Sequence, residues 1–201
     1  MTEILSLLQI GSLTTQHARA LCVIHELASD RARVRTSLPL GRDDAVQIGM
    51  RGGQELEGRV IAHDGRYATI ALARGIDPGA LIEDNRRAAS GAESVRVVLA
   101  QPVEIVGPER RITQSIDISL QGMRLTDEAA SLRPGEAIAV AMDGLGLHHG
   151  RVIWARDGQA GLRFHHSLGF DRLDRWLRSR GRKGAPSFGV PDRLADAAQT
   201  G

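Results

Sequence analysis

"GRVIWARDGQAGLRF", Gly150 to Phe164, reads as a strand, a tight turn and a second strand, because apolar-rich runs flank Asp157-Gly158, a dipeptide that favours a short β-hairpin. The chain carries the same pattern earlier. "GRVIAHDGRYATIAL", starting at Gly58, has its turn at Asp64-Gly65. At nearly the same offset, about 92 residues, "HELASDRARVRT" from His25 lies opposite "SIDISLQGMRLT" from Ser115. Agreement at two separated places predicts a tandem duplication of a small β domain.

In the second copy the strand candidates are "VRVVLAQPVEIV", "RITQSIDIS", "GMRLT", "AIAVAM", "LHHGRVIWA" and "QAGLRFHH", with Gly, Pro and Asp between them. Short, closely spaced strands suggest a small antiparallel barrel or sandwich. "SLGFDRLDRWLRSRG" then predicts a helix capped by Ser167 or Asp171, with Leu173, Trp176 and Leu177 at helical spacing and Gly181 at its end. In the first copy a short helix from Glu3 to Gln9 leads directly into "HARALCVIHEL", without a counterpart of the "VRVVLAQPVEIV" strand. Asp77-Pro78 and Ser90-Gly91 mark "GIDPGALIEDNRRAASGAES" as a linker. The expected organisation is a degenerate β domain over 1–80, a linker over 81–95, a β-barrel with a terminal helix over 96–180, and a flexible Pro/Gly/Ala-rich tail over 181–201.

Composition bounds the function. The 201 residues are 42% hydrophobic and 25% charged, as in ordinary globular proteins, and the 3% of aromatics leave Val, Ile, Leu and Ala to build the cores. Lys183 is the only lysine, so Arg supplies nearly all the positive charge. The formal net charge of +2 gives no reason to expect nucleic acid as a partner. Cys22 is the only cysteine, which excludes an intramolecular disulfide and fits a reducing cytoplasm. "MTEILSLLQIGSL" lacks a basic leader, and its apolar run is too short to span a bilayer, so neither secretion nor membrane insertion is expected.

Within "IDISLQGMRL", Ile116 to Leu125, period two would bury Ile116, Ile118 and Leu120 and send Asp117, Ser119 and Gln121 to the opposite face, with Gly122 following. A carboxylate and a hydroxyl then share a face beside a residue without a side chain. The alternative role for Asp117 and Ser119 is to satisfy turn amides. Asp117-Ile118-Ser119-Leu120-Gln121-Gly122 resembles the Asp/Asn-x-Ser-x-x-Gly motif of PilZ domains. "GRVIWARDGQAGLRF" is similar to the paired strands that close the barrel of that family. The resemblance runs from about Gly91 to Arg180 and covers the first copy weakly. It implies six-stranded barrels, mainly β, with a helix after the second, and a bacterial, non-catalytic receptor for cyclic di-GMP. The chemistry suits that ligand: a guanine edge offers adjacent N–H donors to Asp117, Ser119 can donate or accept beside them, and Gly122 lets a flat base approach the backbone. Phosphates and the guanine acceptor edge require Arg, whose planar fork bonds bidentately and stacks on bases.

The family also carries an Arg-x-x-x-Arg motif before its first strand. Arg96 is similar to its second arginine, whereas Ala92 stands at the first. The candidate ligand residues are therefore Arg96, Asp117, Ser119 and Gly122, with Arg86, Arg87, Arg110 and Arg111 as substitute cations. In the first copy, Glu26-Leu27-Ala28-Ser29-Asp30-Arg31 puts Ala where the hydroxyl is needed and Arg where the glycine is needed. That copy reads as a structural or partner-binding module. No catalytic triad spacing is recognisable, and His148-His149 and His165-His166 lack the further ligands of a metal site. The expectation is a cytoplasmic signalling protein that binds cyclic di-GMP, as ligand rather than cofactor, through its second barrel and relays this to an unidentified protein partner. The alternative is an adaptor of the same fold that has lost the ligand.

Overall fold

The computed structural model describes residues 4–51, 53–89, 94–107, 110–128 and 131–180. The chain folds as two closed antiparallel barrels in tandem. The first contains β1 (Ile4–Thr15), β2 (Arg19–Ala28), β3 (Arg31–Thr36), β4 (Ala45–Gly49), β5 (Glu55–His63) and β6 (Tyr67–Leu72), closed in the order β1-β2-β3-β6-β5-β4. After α1 (Pro78–Ala89) come β7 (Val97–Val98), β8 (Pro102–Val106), β9 (Arg111–Ile118), β10 (Gly122–Thr126), β11 (Ala137–Met142), β12 (Gly146–Arg156), β13 (Gln159–Phe164) and α2 (Phe170–Arg180). Strands β8 to β13 form the second barrel, which β9–β10 pairing closes, and β7 adds to β9.

Three local expectations are corrected. Ile4–Gln9 is strand rather than helix, and β1 supplies the front strand that the first copy was expected to lack. It pairs with β2 along its length and with β4 over Ser12 to Thr15. Asp77-Pro78 starts α1 within the segment read as linker: Asp77 Oδ1 accepts the Ala80 N–H at 3.0 Å as an N-cap, and Pro78 takes the first helical position. Leu81 then packs against the first core. Finally, "VRVVLAQPVEIV" is divided, because Leu99 N bonds Ile116 O between β7 and β8.

The duplication is written into the irregularities as well as the strands. The β2–β3 ladder skips His25 as the β9–β10 ladder skips Ile116, and the β5–β6 ladder skips Ile61 as β12–β13 skips Ile153. Gly58 and Gly150 hold equivalent places for one reason: a Cβ would lie 2.3 Å from Ala71 O in the first and 2.5 Å from Arg163 O in the second. The hairpin tips differ. Asp157 and Gly158 both have positive φ, as a type I′ turn requires, whereas only Gly65 does so in the first tip, whose turn slips by one residue.

Each barrel has its own aliphatic core, Ile24, Val34, Ile48 and Ile70 in the first and Val103, Ile118, Leu125 and Val140 in the second. Helix α2 joins them. Its Leu173, Trp176 and Leu177 are buried in the second core, together with Leu21, which points out of the first barrel. Among the described residues, no helix is long and apolar enough to cross a membrane.

Candidate functional site

The bulge at Ile116 decides what β9 presents. Leu125 faces Ser115 on the core side, and the skipped residue then shifts the phase so that Met123 meets Ile118 in the core while Arg124 meets Asp117 on the outer face. The simple period-two row therefore fails: Ile116 is only half-buried, while Ser115, Asp117 and Ser119 are buried. Asp117 is 1% exposed although it lies on the outer face. Two arginines cover it. Arg96 Nη1 donates to Oδ1 and Arg124 Nη2 donates to Oδ2, both at 2.7 Å. Arg96 remains about half-exposed, whereas Arg124 Nε is buried without a hydrogen-bond partner among the described residues.

The hydroxyl and the glycine next to Asp117 have local duties. Ser119 Oγ donates to Gly122 O at 3.1 Å and accepts the Gln121 N–H at 3.3 Å, which is the turn-amide role. A Cβ on Gly122 would lie 2.1 Å from Leu162 O, so close approach of β13 requires the glycine before any ligand does. The turn is also bonded to the end of β13 and to the segment that leads into α2: Phe164 N bonds Gln121 O at 2.8 Å, and Leu168 N bonds Leu120 O at 2.7 Å.

A cleft of about 80 Å³ opens beside this turn, lined by Arg96, Ser119, Gly122, Trp154, Gly161 and Arg163. Trp154 lies flush on Gly161, where a Cβ would come within 2.3 Å of the indole nitrogen. The bulge at Ile153 brings this side chain to the cleft. The cleft offers the guanidinium donors of Arg96 and Arg163 and an indole, and the Asp117 carboxylate contributes to it by holding Arg96.

A PilZ domain family model matches residues 85–178. The second barrel is a PilZ domain. Most of the chain is also similar to solved structures, among them these three. One is the Borreliella burgdorferi PlzA protein in complex with c-di-GMP, at 7% identity, covering 87% of this chain and 93% of that chain with a TM-score of 0.36. Another is the inhibitor of motility MotI/DgrA of Bacillus subtilis, at 12% identity, 88% and 97% coverage and a TM-score of 0.36. The third is the K. pneumonia MrkH–c-di-GMP complex, at 13% identity, 84% and 85% coverage and a TM-score of 0.33. No curated protein matches the chain in sequence.

Within the PilZ domain, the structure brings Arg96, Asp117, Ser119 and Gly122 together. Arg110 and Arg111 stand at the far end of β9, roughly 20 Å away at the rise of a strand. Arg110 pairs there with Glu104 at 3.3 Å, and Arg111 donates to Ser131. Arg86 and Arg87 belong to α1, but their side chains fall outside the described part, and Ala92 lies outside the described residues. Arg124 and Trp154 are the additions. Arg124 was legible only through the bulge, but the scarcity of tryptophan in a chain with two of them was a signal for Trp154.

Proposed function

We propose that the PilZ domain binds cyclic di-GMP on the face built around Asp117 and relays this to a protein partner without catalysis. The observation that carries the reading is the buried Asp117 carboxylate held between Arg96 and Arg124, with Arg96 also lining the cleft that the Trp154 indole lines. Asp117 fixes both guanidinium groups, whose remaining N–H donors suit phosphate oxygens and the guanine acceptor edge. A carboxylate has about four lone-pair sites, so Asp117 can also accept from guanine once the half-exposed Arg96 turns aside. Trp154 supplies a ring against which a base can pack.

At about 80 Å³ the cleft takes the edge of one base, so most of the dinucleotide lies across the outer face. The relay has a continuous route. The motif turn is bonded to the segment entering α2, and Asp174 of α2 is bonded to the first barrel. The second reading, an adaptor without the ligand, is favoured by Ala92 at the first clamp position and by the ion pairs that already occupy Asp117.

Trp154 gives the direct test. In a Trp176→Phe background, cyclic di-GMP should change the remaining tryptophan fluorescence saturably, and GMP should do so only at much higher concentration. An unchanged signal together with absent binding heat would favour the adaptor.

A further inference from the structure

Two neighbouring rungs on the outer face of β12 and β13 carry arginine against arginine and histidine against histidine. Val152 pairs with Leu162 and Gly150 with Phe164 as buried rungs of this ladder, so the rung between them, Arg151 opposite Arg163, faces outward. Beyond Gly150, His165 N bonds His149 O at 2.9 Å, and both histidines line one open groove of about 670 Å³. All four side chains are exposed. Partners within a rung stand about 5 Å apart at Cβ, and the two outward rungs lie about 7 Å apart along the strands.

The duplication shows that the ladder does not require these residues. Arg59 lies opposite Ala71 in β5–β6 as Arg151 lies opposite Arg163, and Ala73 N bonds Glu57 O at 2.8 Å as His165 N bonds His149 O. The two equivalent arginines even share a local duty, since Arg59 donates to the Asp43 carbonyl and Arg151 to the Gly135 carbonyl. What the first barrel builds with Arg59, Ala71, Glu57 and Ala73, the second builds with two arginines and two histidines. Like charges directly opposite destabilise a ladder. Among the described residues neither Arg151 nor Arg163 has a carboxylate partner, so stability does not account for the pair. The groove beside them adds Arg111, the small side chains of Ala137 and Ala139, and one carboxylate, Glu136, which accepts the Arg133 N–H at 3.0 Å.

We propose that this face docks an acidic, extended segment of a protein partner, with one Asp or Glu carboxylate between Arg151 and Arg163 and the next, two residues on, over His149 and His165. Alternate residues of an extended chain lie about 7 Å apart on one side, which is the spacing of the two rungs. A carboxylate accepts from two guanidinium groups at once, as Asp117 does between Arg96 and Arg124, and imidazole N–H groups donate to the second. A nucleic acid, charged at every phosphate, would set one of them near Glu136 and gain nothing from the alanines, whereas a protein segment can lay small apolar side chains on Ala137 and Ala139. The inference gives the chemistry of the partner in the reading above and rests on that reading for the relay, not for the docking.

The test is fluorescence anisotropy of a labelled peptide of Thr-Glu repeats, titrated with the full chain at low salt and without cyclic di-GMP, beside a Thr-Gln peptide and a single-stranded oligothymidylate of similar length. The expected result is saturable binding of the Thr-Glu peptide alone, weakened about fivefold or more in Arg151→Gln and in Arg163→Gln, and unaltered in Arg59→Gln, the matching arginine of the first barrel. Circular dichroism should show all three variants folded, since each replaced side chain is exposed. Equal weakening by Arg59→Gln would reduce the effect to overall charge and overturn the proposal. Oligothymidylate binding as tightly as the Thr-Glu peptide, or a Thr-Glu titration that does not saturate, would overturn it too. Because cyclic di-GMP is left out, none of these outcomes depends on whether the PilZ domain binds that ligand.

Discussion

The Asp174 carboxylate of α2 accepts the Leu21 backbone N–H of β2 at 3.0 Å, so the helix that completes the second core is bonded to a strand of the first barrel. Its other oxygen accepts from Ser37 Oγ at 2.7 Å and from Arg178 Nε at 3.2 Å, and the residue is only 6% exposed. Asp174→Ala leaves a buried N–H without its acceptor and should cost about 1 to 3 kcal/mol in urea unfolding. Asp174→Asn should lose less, because its amide oxygen can still accept from Leu21. Equal stability of parent and Asp174→Ala would show that the barrels are not joined here.

Gly122→Ala should act on the fold before it acts on a ligand. The added methyl would meet Leu162 O at 2.1 Å, and backbone on both strands must shift to admit it. A cost of about 1 to 3 kcal/mol is expected from such overpacking. Gly169→Ala, where no atom lies within 4 Å, is the comparison and should be nearly neutral. Matching denaturation midpoints for the two variants would refute the close-approach role.

Burial, reinforced by Asp174 and opposed by the Gly11 backbone hydrogen bond, pushes the Cys22 thiol up to about 12. In the unfolded chain the thiol ionises near its ordinary value of about 8.5, so between these limits the unfolded state loses a proton that the folded state keeps. The stability linked to Cys22 is therefore full below about pH 8.5 and falls above it by at most about 1.4 kcal/mol per pH unit, until the folded thiol also ionises. Cys22→Ala should flatten the alkaline decline relative to the parent, as read by urea denaturation from pH 8 to 11. Parallel pH profiles would contradict the burial account.

The repeat, the six closing strands of the second barrel and α2 were legible because turn dipeptides and apolar runs are local signals. The front of the first barrel was not. Ile4, Leu7 and Leu8 recur at helical spacing, and β1 leaves Leu8 82% exposed, so its pattern lacks a clean inner row. In the site, Asp117 and Ser119 were legible as a motif, but the partnership of Asp117 with Arg124 depends on the skipped Ile116, a pairing irregularity that side-chain alternation does not record. Asp77-Pro78 misled for a related reason: the same dipeptide opens turns and caps helices.

Ala92 stands four residues before Arg96, where the resemblance to the family's Arg-x-x-x-Arg motif implies a first clamp arginine. Ala92→Arg should add a charge-assisted contact of roughly 1.5 to 3 kcal/mol, less the cost of ordering the side chain. Cyclic di-GMP affinity should rise between a few-fold and about 100-fold, and Ala92→Lys should gain less. A folded Ala92→Arg protein that binds no better than the parent would favour the adaptor reading.

Titration calorimetry of the full chain with cyclic di-GMP, at one fixed salt concentration, tests the central claim most directly when the parent is compared with Asp117→Ala and Arg124→Ala. The account predicts saturable binding by the parent and a loss of about 1 to 3 kcal/mol in each variant, with circular dichroism showing both folded. Absence of binding by the parent, or parental affinity in a folded Asp117→Ala protein, would contradict it.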